Sequence, residues 1–312
     1  MSNDEFLLVI GLLIFLIVTP LVIAIIVRFV VRDEPIVEVE PDTSAEPVAQ
    51  FETLGDFWSG MVPHLRELQS RLIRAAVAVL IGTLLGFYIV NSPSLLGAPL
   101  PEVLIDHFVP VELVPKLQFI EPAEAFVNYM RIALVIGVAF AMPVVVYQVI
   151  AFFVPGLLPN EKRMLFIAIP FVTELFLAGI AFGWFFTIPA ALQFLFGFGV
   201  TSRVQAQPTF ESFIAIVSTL MLWNGLIFEL PALIYLLARL GVVNAKMLGR
   251  TRRYAIVIIT IAAAVITPTG DPYNLMLLAV PMYFLYELGI LLARFVPERS
   301  RARDDTPPPT PA

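Results

Sequence analysis

Between Ile73 and Arg294 the chain is a succession of long apolar runs joined by short polar turns, and this pattern limits its fold more than any motif does. A helix needs ~20 predominantly apolar residues to cross a bilayer. The runs Ile73 to Val90, Ala123 to Phe153, Met164 to Phe196, Phe210 to Arg239 and Pro272 to Arg294 approach or exceed that length. Tyr254 to Thr267 has only fourteen residues, which at 1.5 Å per residue is ~21 Å, short of the ~30 Å hydrocarbon core. Hydrophobic residues make up 59% of the chain and charged ones 14%, where soluble domains carry about 25% charged residues. The expected class is an all-α polytopic membrane protein.

One more apolar run, Phe6 to Val31, precedes this series and is interrupted by Thr19, Pro20 and Arg28. It is long enough to span with some tilt. Its leading Asp4 and Glu5 and its length are unlike a cleaved signal peptide. Eight acids and no Lys or Arg lie between residues 33 and 56, so the net charge of −6 belongs to this stretch and the remainder carries +2. Asp33 to Gln50 reads as a disordered linker. The expected organisation is an extra span over residues 1–32, an acidic linker over 33–60, a six-span core over 61–297 and a disordered tail over 298–312.

Basic residues orient the spans. Sixteen of the nineteen Lys and Arg fall before the second span, in the turn at Lys162 and Arg163, in the loop ending at Arg253, or in the tail. The positive-inside rule then predicts seven spans with the N-terminus outside and the C-terminus in the cytoplasm. Lys116 and Arg203 fall outside, and Arg131 sits at a helix end. Cysteine is absent and the only histidines are His64 and His107, which excludes disulfides, thiolate chemistry and a histidine metal cluster. No Ser–His–Asp set, metal-ligand spacing or phosphate-cradling Gly loop is present, so an enzyme and a bound cofactor are not expected.

The last polar run before the core, FWSGMVPHLRELQSRLIR (Phe57 to Arg74), reads as a helix with Pro63 in its first turn. His64, Glu67, Arg71 and Arg74 share one face at helical spacing, and Glu67 precedes Arg71 by four, the favourable order for an ion pair. The residues alone admit two readings: an interfacial helix with solvated charges, or a fixed carboxylate at the membrane surface for a guanidinium from another molecule. Glu174, Glu229 and Glu287 lie within apolar runs, where ionisable groups face cavities or partners. Small residues recur at Gly82 and Gly86 and at Gly179 and Gly183, a spacing that permits close helix contact.

Five blocks then carry a family resemblance: HLRELQSR (His64 to Arg71), MPVVVYQVIAFFVPGLLPNEKR (Met142 to Arg163), FELPALIYLL (Phe228 to Leu237), TPTGDPYN (Thr267 to Asn274) and LLAVPMYFLYELG (Leu277 to Gly289). In order and spacing, over roughly Met61 to Pro297, they resemble TatC, the receptor and core subunit of the twin-arginine export system. The resemblance implies a glove-shaped bundle of six helices, concave toward the membrane, whose last two helices are short; the first span is an addition to it. It implies that Glu67 and Glu161, with His64 and Arg71 beside the first, engage the paired arginines of an export signal. It places Glu229 on the concave face and Glu287 in a family block, and makes Thr267 a polar position at a partner-helix site. Pro99 and Pro143 match family prolines that shape the outer loop and a helix bend, and Asp271 matches an acid in an outer turn.

Two positions depart from the pattern: Gln69 stands where an arginine is common, and Leu275 where a glutamine is common. Partners implied are TatA- and TatB-type single-span subunits, twin-arginine signal peptides of folded cargo, membrane lipid and further copies of the chain, with no nucleic acid. The implied location is the cytoplasmic membrane, with the proton gradient as energy source. Other readings stay open at single residues. Glu161 could pair with Lys162 and Arg163, Glu229 could be a hydrogen-bonded structural group beside Pro231, and Asp271 could simply form a turn with Gly270 and Pro272. A proton-coupled transporter or channel is the alternative for the whole chain, although no inverted repeat is visible.

Overall fold

The computed structural model describes residues 54–93, 97–109, 117–118, 120–153, 159–198, 208–267 and 271–296. The first apolar run, the acidic linker up to residue 53 and the tail lie outside these residues. What is described is helical, apart from an isolated bridge between Gln118 and Thr209. Five stretches are long and apolar enough to cross a membrane: Val62–Val90, Glu124–Phe153, Ile169–Gly197, Phe210–Arg239 and Pro272–Ala293.

Helix α1 is Leu54–Val90. It begins nine residues before Pro63, so the expected start at that proline is corrected: Pro63 lies inside the helix. The proline removes one i→i−4 bond, a loss that is tolerable at the polar end of α1, where water can reach the freed carbonyl. Helix α2, Leu100–Phe108, is a short cap whose N-cap position is Pro99. Helix α3, Glu124–Phe153, runs through Pro143 as one element.

Helix α4, Pro159–Phe182, starts earlier than expected. The segment Pro155 to Arg163 is therefore not all turn, because Pro159 opens the helix, a position that proline's fixed φ suits. A π-helical turn, Gly183–Thr187, joins α4 to α5, Ile188–Gly197. The next span is broken: α6, Phe210–Phe228, and α7, Leu230–Arg239, meet at Glu229. Pro231 explains the break, since it cannot donate to the carbonyl four residues back. Helix α8 is Ala245–Arg250, α9 is Arg252–Ile266 and α10 is Pro272–Ala293. The fifteen residues of α9 span ~22 Å.

Helix α3 is the hub and packs against α1, α4 and α6, while α10 packs against α7 and α9. Glycine sets the closeness of the first contact. A Cβ on Gly82 would run into the backbone carbonyl of Gly137, and one on Gly137 into the backbone of Thr83. Gly86 meets Ala133 in the same way one turn on. Across α4 and α6, Gly179 abuts the backbone of Asn224 and Gly225. The main core includes Leu104, Ile188, Phe213, Ile214 and Leu278, and a second cluster unites Met142, Val146, Ile169, Phe176 and Leu236.

Candidate functional site

At the end of the bundle where α1 begins, His64 lies against Phe152 at the end of α3, with ring centroids 5.4 Å apart. One turn on, Arg71 donates from Nε at 3.0 Å and from Nη2 at 2.6 Å, both to Oε1 of Glu67. The i,i+4 pair expected from the sequence is thus formed. Both guanidinium bonds fall on one oxygen, and Oε2 has no hydrogen bond among the described residues. With 33% of its side chain exposed, Glu67 is held in place yet reachable. Gln69 is exposed on the same helix. Glu161 occupies the third position of α4, and its side chain lies outside the described residues.

The same end carries a second charged group. Glu287 on α10 accepts from Arg252 at the start of α9 at 2.7 Å and from the Tyr283 hydroxyl at 2.9 Å. Close by, the Tyr286 hydroxyl donates to the Leu248 carbonyl at 3.0 Å, fixing α8 to α10. Glu287 is therefore a satisfied clamp between the last two helices.

Glu229 is the opposite case. It forms the hinge between α6 and α7, and both its carboxyl oxygens are buried without a hydrogen-bond partner among the described residues. It borders a cavity of about 610 Å³ walled by α3, α4, α6 and α7, with Met142, Val146, Val149, Phe171 and Leu233 among the apolar side chains around it. Burying a polar group without a partner is costly, so the carboxyl at this wall is matched only when a donor or cation arrives.

At the far end of α9, Thr267 is buried and its hydroxyl donates to the Ala263 carbonyl at 2.5 Å. Asp271 caps α10: Oδ1 accepts the Asn274 amide and Oδ2 its side-chain Nδ2, each at 2.8 Å. The turn-forming reading of Asp271 thus has a geometric basis, and Thr267 directs its hydroxyl into its own helix. Leu275 is half-buried in the first turn of α10. Glu174, half-buried on α4, makes no hydrogen bond or ion pair among the described residues.

Two polar groups escaped the sequence reading. Glu124, 6% exposed, accepts backbone N–H groups from Ile120 at 2.7 Å, Glu121 at 3.3 Å and Glu211 at 2.7 Å. It thereby ties the loop before α3 to the start of α6. The signal for it was an acid in the first turn of a helix. The second is the buried pair between the π turn and α6, where the Thr187 hydroxyl donates to Asn224 Oδ1 at 3.2 Å. Its residues are 37 apart in sequence, and no local pattern marks them.

The family model "Sec-independent protein translocase protein (TatC)" matches residues 63–281. The TatC protein of Deinococcus radiodurans is 38% identical over 235 residues, covering 74% of this chain and 84% of that protein. The TatC protein of Carboxydothermus hydrogenoformans is 32% identical over 239 residues, covering 75% and 92%. A crystal structure described as the twin-arginine translocase receptor TatC superposes with a TM-score of 0.64 at 32% identity, covering 75% of this chain and 99% of the other. The family match runs from Pro63 in α1 through the Glu229 hinge and α9 into the first half of α10, and so the chain belongs to the TatC family of Sec-independent protein translocases.

Proposed function

We propose that the chain is the signal-receptor and core subunit of a twin-arginine translocase, exporting folded proteins across the cytoplasmic membrane with the proton gradient as driving force. The observation that carries this reading is Glu67. It is a half-exposed carboxylate fixed on α1 by Arg71, with one oxygen left over, in a chain of the TatC family. A planar guanidinium bonds a carboxylate bidentately and so discriminates against lysine. Glu161, in the first turn of α4, supplies the second carboxylate, one for each arginine of the signal. The apolar cavity bordered by Glu229 takes the apolar part of the signal or a partner's transmembrane helix.

In this reading the end carrying Glu67, Arg239 and Arg252 faces the cytoplasm. Helix α9 counts as a sixth, short span, and the run at Phe6 to Val31 as a seventh with the N-terminus outside. TatA- and TatB-type single-span subunits and further copies of the chain are the assembly partners. The α9–α10 pair, including Thr267, is the partner-helix site, and the subunit itself performs no covalent chemistry.

The test is binding of a signal peptide, carrying a photocrosslinker beside its arginine pair, to the purified full chain. Glu67→Gln and Glu161→Ala are expected to abolish capture of an Arg-Arg peptide while insertion persists. A Lys-Lys peptide is expected to be captured at least tenfold less well, about 1.4 kcal/mol, just under the ~1.5–3 kcal/mol of one hydrogen bond to a charged group. Equal capture of both peptides, or unchanged capture by both variants, would remove this assignment.

A further inference from the structure

Gln148 is a buried polar side chain that the receptor reading leaves unused. It is 8% exposed, and its Oε1 has no hydrogen-bond partner among the described residues. Leaving a buried acceptor without a donor is costly. On α3 it follows Gly137 by eleven residues, about three turns, so both lie on the face turned to α1. On α1, Arg71 precedes Gly82 by eleven residues and follows His64 by seven, so these three share the face turned to α3. The helices run antiparallel, with Gly86 meeting Ala133, Gly82 meeting Gly137 and His64 meeting Phe152. Counting eleven residues from the Gly82–Gly137 contact sets Gln148 opposite Arg71, and counting four from the His64–Phe152 contact sets it opposite Leu68. By either count Gln148 lies in the α1–α3 seam, level with the turn that carries the Glu67–Arg71 pair.

Arg71 is the donor that such an acceptor suits. Only 20% of its side chain is exposed, and its two bonds both go to Glu67 Oε1. Helical side chains lean toward their own N-terminus. Arg71 therefore reaches back to Glu67, whereas Gln148 on the antiparallel helix leans the opposite way, which accounts for an acceptor left vacant so near a guanidinium. A guanidinium from another molecule needs both oxygens of Glu67 to bond bidentately, and Arg71 holds one of them. Two cations on one carboxylate also repel each other. Once displaced, Arg71 is a largely buried cation that requires a new acceptor, and Gln148 stands across the seam from it.

We propose that Gln148 is a positioning residue for signal recognition, the second seat of the Arg71 guanidinium. In the free protein Arg71 sits on Glu67. When an arginine of the signal takes that carboxylate, Arg71 turns across the seam and donates to Gln148 Oε1. Arg71 is then a stand-in that keeps Glu67 paired until cargo arrives, and Gln148 satisfies the displaced charge. The trigger rests on the receptor reading; the second seat itself does not.

The test has two arms, both on the purified full chain. Without peptide, Gln148→Leu removes an acceptor that has no donor and is expected to leave the thermal midpoint unchanged or raised. In a Glu67→Ala background, where Arg71 has lost its first partner, the same substitution is expected to lower the midpoint by about 3 °C or more. Adding Arg71→Leu to that background is expected to abolish this effect, since no guanidinium is left to reseat. With an Arg-Arg signal peptide, Gln148→Leu is expected to weaken capture about tenfold, as for the loss of one hydrogen bond to a charged group. Unchanged capture would overturn the proposal. So would a midpoint shift of the same size in all three backgrounds, which is what a purely structural glutamine gives. Failure of the receptor reading shows separately, as an otherwise unaltered chain that captures Arg-Arg and Lys-Lys peptides alike; the peptide-free arm then decides by itself whether Gln148 is the second seat.

Discussion

At the scale of single residues, the acids in apolar surroundings divide by whether this chain satisfies them. Glu124 and Glu287 are satisfied, one by three backbone amides and the other by Arg252 and Tyr283. Removing a buried acceptor leaves its donors unpaired, at about 1–3 kcal/mol for each buried group. Glu124→Ala is therefore expected to destabilise the detergent-solubilised protein by about 3 kcal/mol, seen as a lower thermal midpoint and faster proteolysis before α3. Glu229 predicts the reverse. Glu229→Leu removes a buried, unpartnered carboxyl from an apolar wall, and replacing such a group by an apolar one stabilises by about 1–3 kcal/mol. A raised midpoint with loss of export is the expected outcome; a lowered midpoint would mean that the carboxyl already has a partner. The sequence put Glu229 ahead of Glu287 but gave no sign that one is matched and the other is not. It could not separate them, because the Arg252 that matches Glu287 comes from a different helix, 35 residues away.

At the scale of elements, span positions were legible because length and apolarity alone decide which residues cross a membrane. The ends expected for the spans at Ala123 to Phe153 and Pro272 to Arg294 fall within one residue of α3 and α10. Interruptions were less legible. The break at Glu229 follows from Pro231, a local cause, but the π turn at Gly183–Thr187 has no comparable sequence mark. There the extra residue accompanies packing: Trp184 stacks on His107 of the cap helix at 5.1 Å between centroids, and Thr187 reaches Asn224. The small-residue pairs read from the sequence are contact points, with Gly82 meeting Gly137 and Gly179 meeting the backbone of α6. Since these clashes are with backbone, repacking cannot relieve them cheaply. Gly137→Val is expected to separate α1 from α3, cost more than the 1–3 kcal/mol typical of overpacking, and lower the yield of folded protein. Val138→Ala, beside it, is expected to leave that yield near wild type.

At the scale of the whole molecule, α1 is held mainly along one line. It rests on α3, and only 17% of its most apolar stretch is buried, against 44% for the spans of α3, α4–α5 and α6–α7. The close glycine contact is at Gly82, and Glu67 is fifteen residues away on the same helix, about 22 Å along its axis. Gly86 meets Ala133 one turn on and His64 lies against Phe152 at the far end, so the line of contact with α3 fixes the direction of α1: tilting it by about 10° about Gly82 would swing Glu67 by about 4 Å, more than the length of a hydrogen bond. In the proposed function, the aim of the carboxylate that meets the signal is therefore set in part by the absence of a methyl group deep in the bilayer.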